Sequence, residues 1–269
     1  MLYLPGKTPH NLPFDPFKAC VVPRPIGWIS TTSSPESDED GGNSGNSDNS
    51  SGGGNKRQPT HNLAPFSQFC PLNFDPPLLL FSANQTPGGR QKDTVRNAEA
   101  TGKFGFSLAT YALREQVNAT AEPVAPGVDE FARAGLAKAF STRLPGDGAN
   151  PVPLVAASPV RFECVYHATL RIPGRPAAPM AAVDVVVGRV VAVHIADWAL
   201  DERGRVDLAR IKPIARCGYY EYAVVGGEGT IFEMVIPGDD EATLAGLEGS
   251  SERVARWRKG NSRKGGAKL

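Results

Sequence analysis

Two long runs in the second half of the chain alternate with period two, and they limit the fold more than any other feature. Residues 160–172 place Val160, Phe162, Cys164, Tyr166, Ala168, Leu170 and Ile172 at every second position, with Arg161, Glu163, His167, Thr169 and Arg171 among the residues between them. Strand side chains point alternately to two faces, so this pattern predicts a long strand with one face on a core. Residues 182–195 form a second such run, denser in valine, whose Asp184, Arg189 and His194 point to a rim or an interface. Two long strands of this kind point to a mainly β architecture.

The remaining segments agree. Residues 14–20 can form a short helix before Pro23 and Pro25 stop it, and residues 27–32 read as a first strand ending in Ser30, Thr31 and Thr32. Residues 36–55 consist only of Gly, Ser, Asn, Asp and Glu. With nothing apolar to bury they read as a disordered, expanded hairpin loop. Strand-like sequence resumes at Thr60. Leu78 to Ala83 is a buried strand, Asp93 or Thr94 caps a helix that Gly102 closes, and residues 104–108 alternate as a half-buried strand. A second helix falls at 110–120. Residues 121–159 read as a Pro- and Gly-rich excursion on the barrel surface, with a helical turn around 132–137. Several strands, short helices and no βαβ rhythm predict an antiparallel β-barrel with peripheral helices. The expected organisation is one domain over residues 1–250, interrupted by the polar insertion at 35–59, then a basic tail at 251–269.

Composition narrows the function. With 269 residues and 41% hydrophobic content the chain builds a large core, and its formal charge of +1 argues against a dedicated nucleic-acid binder. No apolar run approaches the roughly 18 residues that span a bilayer. Pro5 and Gly6 break any leader-like start, so the cytoplasm is the expected address. Cys20, Cys70, Cys164 and Cys217 are scattered and predict reduced, mostly buried thiols. The basic tail reads as a short basic helix followed by disorder, in preference to a weak nucleic-acid or anionic-surface contact. There is no dinucleotide fingerprint, nucleophile elbow or P-loop, and His10, His61, His167 and His194 lack metal-ligand spacing.

What the sequence does offer is three polar segments at strand or helix ends. Ser30, Thr31 and Thr32 supply hydroxyls. Asn62, Leu63, Ala64, Pro65 and Ser67 supply a loop whose backbone N–H groups suit the edge of a flat ligand. Ser82, a Gly-rich loop carrying Arg90, and Lys92, Asp93 and Thr94 supply a hydroxyl, a cation and a helix start, which together make an anion site. Taken singly, the hydroxyls also suit a simple turn, and Lys92 to Thr94 read better as an ordinary capped surface helix.

In order, these segments resemble the flavin reductase-like family. The residues that carry the resemblance are 24–31 (Arg-Pro-Ile-Gly-Trp-Ile-Ser-Thr), 62–67, Asp75-Pro76-Pro77 with the strand reaching Ser82, and 92–97. They continue through 115–120, Val128-Asp129-Glu130-Phe131, 158–160 with Glu163-Cys164, and Gly218-Tyr219-Tyr220. The resemblance implies an FMN-binding split barrel of antiparallel Greek-key type, holding FMN non-covalently near a homodimer interface. It places Ser30, Thr31 and Thr32 on the flavin or ribityl chain, and Asn62, Leu63, Ala64, Pro65 and Ser67 at the isoalloxazine edge. Ser82, Lys92, Asp93 and Thr94, with Arg90 less so, fall at the ribityl and phosphate end.

The implied activity is oxidoreduction of the NAD(P)H:flavin reductase kind, in which the flavin carries the chemistry and no catalytic side chain is needed. A non-catalytic FMN-storage or electron-carrier protein, and a barrel that has become an interaction module, are the alternatives. Arg24, Tyr219 and Tyr220 either receive a nicotinamide or partner, or close the barrel.

Overall fold

The computed structural model describes residues 1–5, 7–34, 59–175, 182–227 and 229–232. The polar insertion's residues 36–55 and the basic tail at 251–269 lie outside that set. Contacts divide the chain into Met1–Thr230, which holds every element below, and Ile231–Leu269, of which only Ile231 and Phe232 are described.

After a single 3-10 turn at Phe17–Ala19, the elements follow as β1 (Arg24–Pro25), β2 (Gly27–Thr32), β3 (His61–Phe66), β4 (Phe69–Phe74), β5 (Pro77–Asn84), α1 (Asp93–Thr101) and β6 (Lys103–Leu108). Then come α2 (Arg114–Ala119), α3 (Glu130–Arg133), β7 (Lys138–Phe140), β8 (Pro153–Val155), β9 (Val160–Pro173), β10 (Ala182–Ile195), α4 (Leu208–Ile211), β11 (Ile214–Arg216) and β12 (Tyr222–Val224). Seven strands form one antiparallel sheet in the order β3-β2-β6-β9-β10-β5-β4. β3 and β4 therefore lie at opposite ends of the hydrogen-bonded order. Yet the ring of Phe66 on β3 lies 4.9 Å from that of Phe81 on β5, and Phe69 on β4 stacks on Phe106 at 5.0 Å. Side-chain packing closes the curled sheet where backbone bonds do not.

The interior holds Ile29, Phe81, Phe104, Cys164 and Val186, with Val95 and Ala98 of α1 plugged against them. Helix α1 differs from its sequence reading at its start: Lys92 is the N-cap residue and Asp93 the first helical one. Its end follows expectation, with Gly102 left-handed at φ 70°. A second core lies around Trp28, Leu63, Val117, Phe131 and Val155. The excursion at 121–159 is thus not surface decoration, because Phe131, Val152, Leu154 and Val155 are fully buried or nearly so. Its helical turn is α3, slightly earlier in the chain than the sequence pattern places it.

The long strand β9 also departs from expectation. Tyr166 faces Gly188 and Ala168 faces Val187, so His167 is an extra residue in the ladder. A bulge of one residue reverses the alternation beyond it. Phe162, Cys164 and Tyr166 accordingly belong to the interior, while Ala168, Leu170 and Ile172 are exposed on the opposite face. They share that outward face with Leu80 and Val185 in a continuous apolar sheet surface.

At the base of the β2–β3 hairpin the amide of Ser33 donates to the Thr60 carbonyl at 2.8 Å, and the amide of Thr60 donates to Ser33 Oγ at 2.9 Å. All four cysteines are free, but only Cys164 is buried; Cys20 and Cys70 are exposed and Cys217 is half-buried. Burial, with the neighbouring Glu163 charge, pushes the Cys164 thiol far above its ordinary range.

Candidate functional site

A cleft of about 240 Å³ opens between β3, the start of α1 and the segment after α2. Ala64, Pro65 and Phe66 form one side, Arg90 to Thr94 another, and residues 120–126 the third. The third wall is tied down by the indole Nε1 of Trp28, which donates to Thr120 Oγ1 at 2.9 Å.

The floor is a chain of buried polar bonds. Asn62 Oδ1 accepts from Thr94 Oγ1 at 2.6 Å and from Thr31 Oγ1 at 3.3 Å, and Thr31 in turn accepts from Asn97 Nδ2 at 3.1 Å. Asn62 Nδ2 donates to Glu130 Oε1 at 3.0 Å, and the Leu63 amide donates to Glu130 Oε2 at 3.1 Å. One network thereby joins β2, β3, α1 and α3. Burial raises the Glu130 carboxyl above the usual carboxylate range, and the donated bonds partly oppose that rise.

The rim is cationic. Lys92 and Arg90 line the cleft, and neither has an ion-pair partner among the described residues. At the start of α1 the amides of Val95 and Arg96 turn back onto the Lys92 carbonyl, and no side chain caps the turn. The amides of Asp93 and Thr94 are therefore the orphan donors of the helix end. Asp93 would repel an anion, but Arg96 holds its carboxylate at 3.1 Å. Beside this end, His61 Nδ1 lies 2.8 Å from Lys138 Nζ, which also pairs with Asp129. Burial, then the Lys138 charge, lowers the His61 pKa, opposed by Asp129.

Of the twelve residues singled out from sequence, Asn62, Ala64, Pro65, Lys92, Asp93 and Thr94 meet in the cleft. The others do not line it. Ser30 Oγ donates to the Pro153 carbonyl, and Thr32 Oγ1 donates to Asn150 Oδ1 at 2.7 Å, so with Thr31 these hydroxyls are spent inside the fold. Leu63 contributes its side chain to the core and its amide to Glu130. Ser67 sits half-buried in the β3–β4 turn. Ser82 faces Val185 on the outward face of the sheet.

The β3 edge also differs chemically from its expected role. Pro65 has no N–H and the Leu63 amide is taken, so this edge presents carbonyl acceptors. Donors come instead from the start of α1. Sequence reasoning missed Glu130 and the wall at 120–126. Both lie within segments that carried the family resemblance or adjoin one, and their place in the cleft depends on long-range packing. Arg24 binds the carbonyls of Lys18 and Val21, which closes the loop before β1.

Among the described residues no helix is long and apolar enough to cross a membrane. The sequence model of the flavin reductase-like domain matches residues 20–209. The Bacillus subtilis protein YwrF is 33% identical over 212 residues, covering 78% of this chain and 88% of that one. Nitrilotriacetate monooxygenase component B from Bacillus cereus superposes with a TM-score of 0.66 at 26% identity, covering 87% of this chain and 98% of that one. A protein with a split barrel domain from Shewanella frigidimarina superposes with a TM-score of 0.56 at 19% identity, covering 80% and 86%. The fold is the split barrel, and the chain belongs to the flavin reductase-like family.

Proposed function

We propose that this cleft binds FMN non-covalently and that the protein is an oxidoreductase of the NAD(P)H:flavin reductase kind. The observation that carries the reading is the meeting, in one cleft, of two cations that have no ion-pair partner among the described residues and two orphan helix amides. Such a donor set matches a phosphomonoester, because the helix dipole and the side-chain charges act on the same anion. The β3 edge supplies the complement for a planar heterocycle with an N–H of its own: carbonyl oxygens beside a flat surface formed by Ala64 and Pro65. When bound, FMN supplies hydride acceptance from a nicotinamide, chemistry that demands stacking at near-attack distance more than a protein base. The roles left to the chain are then to bind, to orient and to exclude water. Glu130 and Asn62 fix the floor, Trp28 holds the outer wall, and Lys92 and Arg90 neutralise the phosphate.

The cleft's volume supports a second element of the reading, a homodimer. At about 240 Å³ it falls below the roughly 300–1,000 Å³ that enclose a ligand of cofactor size. A second copy supplies the missing enclosure, and the apolar outward face around Leu80, Leu170 and Val185 offers a surface for that association.

Flavin titration followed by anaerobic addition of NADH or NADPH tests the function. The expected result is stoichiometric FMN whose visible absorbance bleaches with a nicotinamide. FMN that stays oxidised with both donors would assign a storage or electron-carrier role, and no flavin binding would overturn the reading. Lys92→Ala should weaken FMN by roughly tenfold while sparing riboflavin, which lacks the phosphate.

A further inference from the structure

Loop residues 85–91 carry Arg90 to the cleft and lead directly into Lys92. The loop's interior is short and turn-like: the Thr86 amide donates to the Arg90 carbonyl at 2.9 Å, and the Gly89 amide donates to the Thr86 carbonyl at 2.9 Å. Its two ends are fastened elsewhere: the Gln85 amide donates to the Ala182 carbonyl at 2.9 Å, and two glutamine side chains add further bonds. At the start, Gln85 Nε2 donates to Asp184 at 3.3 and 3.1 Å, and at the end Gln91 Nε2 donates to Glu99 Oε2 at 3.0 Å. Those carboxylates belong to different elements, Asp184 to β10 and Glu99 to α1.

A single guanidinium joins them. Arg171 Nε donates to Asp184 Oδ1 at 2.6 Å and its NH2 group donates to Glu99 Oε1 at 3.2 Å. Asp184 is fully buried, and Arg171 is the cation that pairs with it. The β9 bulge is what makes the arrangement reachable. By reversing the alternation it turns Arg171 towards Asp184 and leaves Leu170 and Ile172 facing out. The planar fork of arginine addresses two carboxylates at once, which an ammonium cannot reproduce with the same geometry.

We propose that Arg171 is a positioning residue: through Asp184 and Glu99 it holds both ends of the 85–91 loop, so that Arg90 and Lys92 are pre-set for a phosphate-bearing ligand. Arg171 touches no ligand in this scheme. Its contribution is that the cations need not be ordered when the anion arrives, which preserves affinity that loop ordering would otherwise consume. The scheme rests on the phosphate end assigned above, but the clamp itself is testable without any flavin.

Two measurements separate the parts. Hydrogen exchange on the flavin-free protein should show faster exchange at the Thr86 and Gly89 amides in Arg171→Ala, with the β2 and β6 amides unchanged. Equilibrium titration should show FMN weakened about tenfold and riboflavin unchanged. Glu99→Ala keeps the buried Asp184–Arg171 pair and releases only the Gln91 end; it should weaken FMN roughly threefold and serves if Arg171→Ala fails to fold. Unaltered loop exchange in the folded variants overturns the clamp. Equal loss of FMN and riboflavin overturns the positioning role and assigns Arg171 to general stability. If wild-type protein binds no FMN, the flavin reading fails, and the exchange result still decides the clamp.

Discussion

Replacing Glu130 by alanine should lower the stability of the protein by about 2–3 kcal/mol. The Glu130 carboxylate oxygens accept from Asn62 Nδ2 at 3.0 Å and from the Leu63 amide at 3.1 Å. Leu63 is fully buried and Asn62 is 9% exposed, so water cannot readily replace either acceptor. A buried donor left without a partner costs ~1–3 kcal/mol, which puts the pair at ~2–6 kcal/mol. Removing Glu130 also relieves the cost of burying its charge, the same cost that raises its pKa, so the net falls at the lower end. For a domain of this size that corresponds to a fall in Tm of roughly 5–10 °C. Urea unfolding measures the free energy directly, with an unchanged m-value showing that the native state keeps its extent. FMN affinity should fall with it, because Asn62 loses the bond that fixes its amide beside the cleft. A loss under about 0.5 kcal/mol would refute the reasoning, since surface substitutions alone reach that size.

Three further outcomes follow from other parts of the molecule. Gly105→Ala places a Cβ 2.4 Å from Leu154 Cδ2 and 2.7 Å from Ser30 Oγ. It should cost ~1–3 kcal/mol by displacing β8, as read by denaturant unfolding. The His61 imidazole should titrate by NMR below the ordinary value of about 6.5. Because that pKa is depressed on folding, its stability contribution is present above about pH 6.5 and is lost as pH falls through the folded value. Lys138→Met should raise the midpoint and Asp129→Asn should lower it further. Leu170→Glu puts a charge on the apolar outward face, where Leu170 is 61% exposed; if that face carries the proposed dimer, sedimentation should show a dimeric wild type and a monomeric variant.

Much of the fold was legible because it follows from local rules. The bounds of β2 match the run of Trp28 and Ile29 with its hydroxyl end, and Gly102 closes α1 where a left-handed residue was needed. What failed was long-range. One extra residue at His167 sends Leu170 and Ile172 to the face opposite Cys164, and alternation carries no mark of such a bulge. Likewise Pro- and Ala-rich sequence at 121–159 resembles a surface excursion, yet Leu154 and Val155 cover β2 and β6 from outside. In the site, Lys92 to Thr94 were legible from helix-start chemistry, whereas Ala64 and Pro65 read as part of a donor loop and lie on β3, whose edge presents carbonyl acceptors. Ser30, Thr31 and Thr32 carry the same hydroxyls whether these face a ligand or Pro153, Asn97 and Asn150. Composition does not encode which.

The reciprocal bonds between Ser33 and Thr60 separate two things that hairpins usually couple, strand register and connection length. Register here is fixed at the mouth of the hairpin, and lengthening the connection between residues 34 and 59 carries a closure-entropy cost of only about 0.6 kcal/mol for each doubling of length. The mouth also borders His61, Asp93 and Arg96 beside the start of α1. This makes the hairpin a natural insertion port. A reporter domain placed there, or new termini created by circular permutation, would leave the barrel's pairing untouched while sitting against the cleft, and occupancy of the cleft becomes a signal that a fused domain can read.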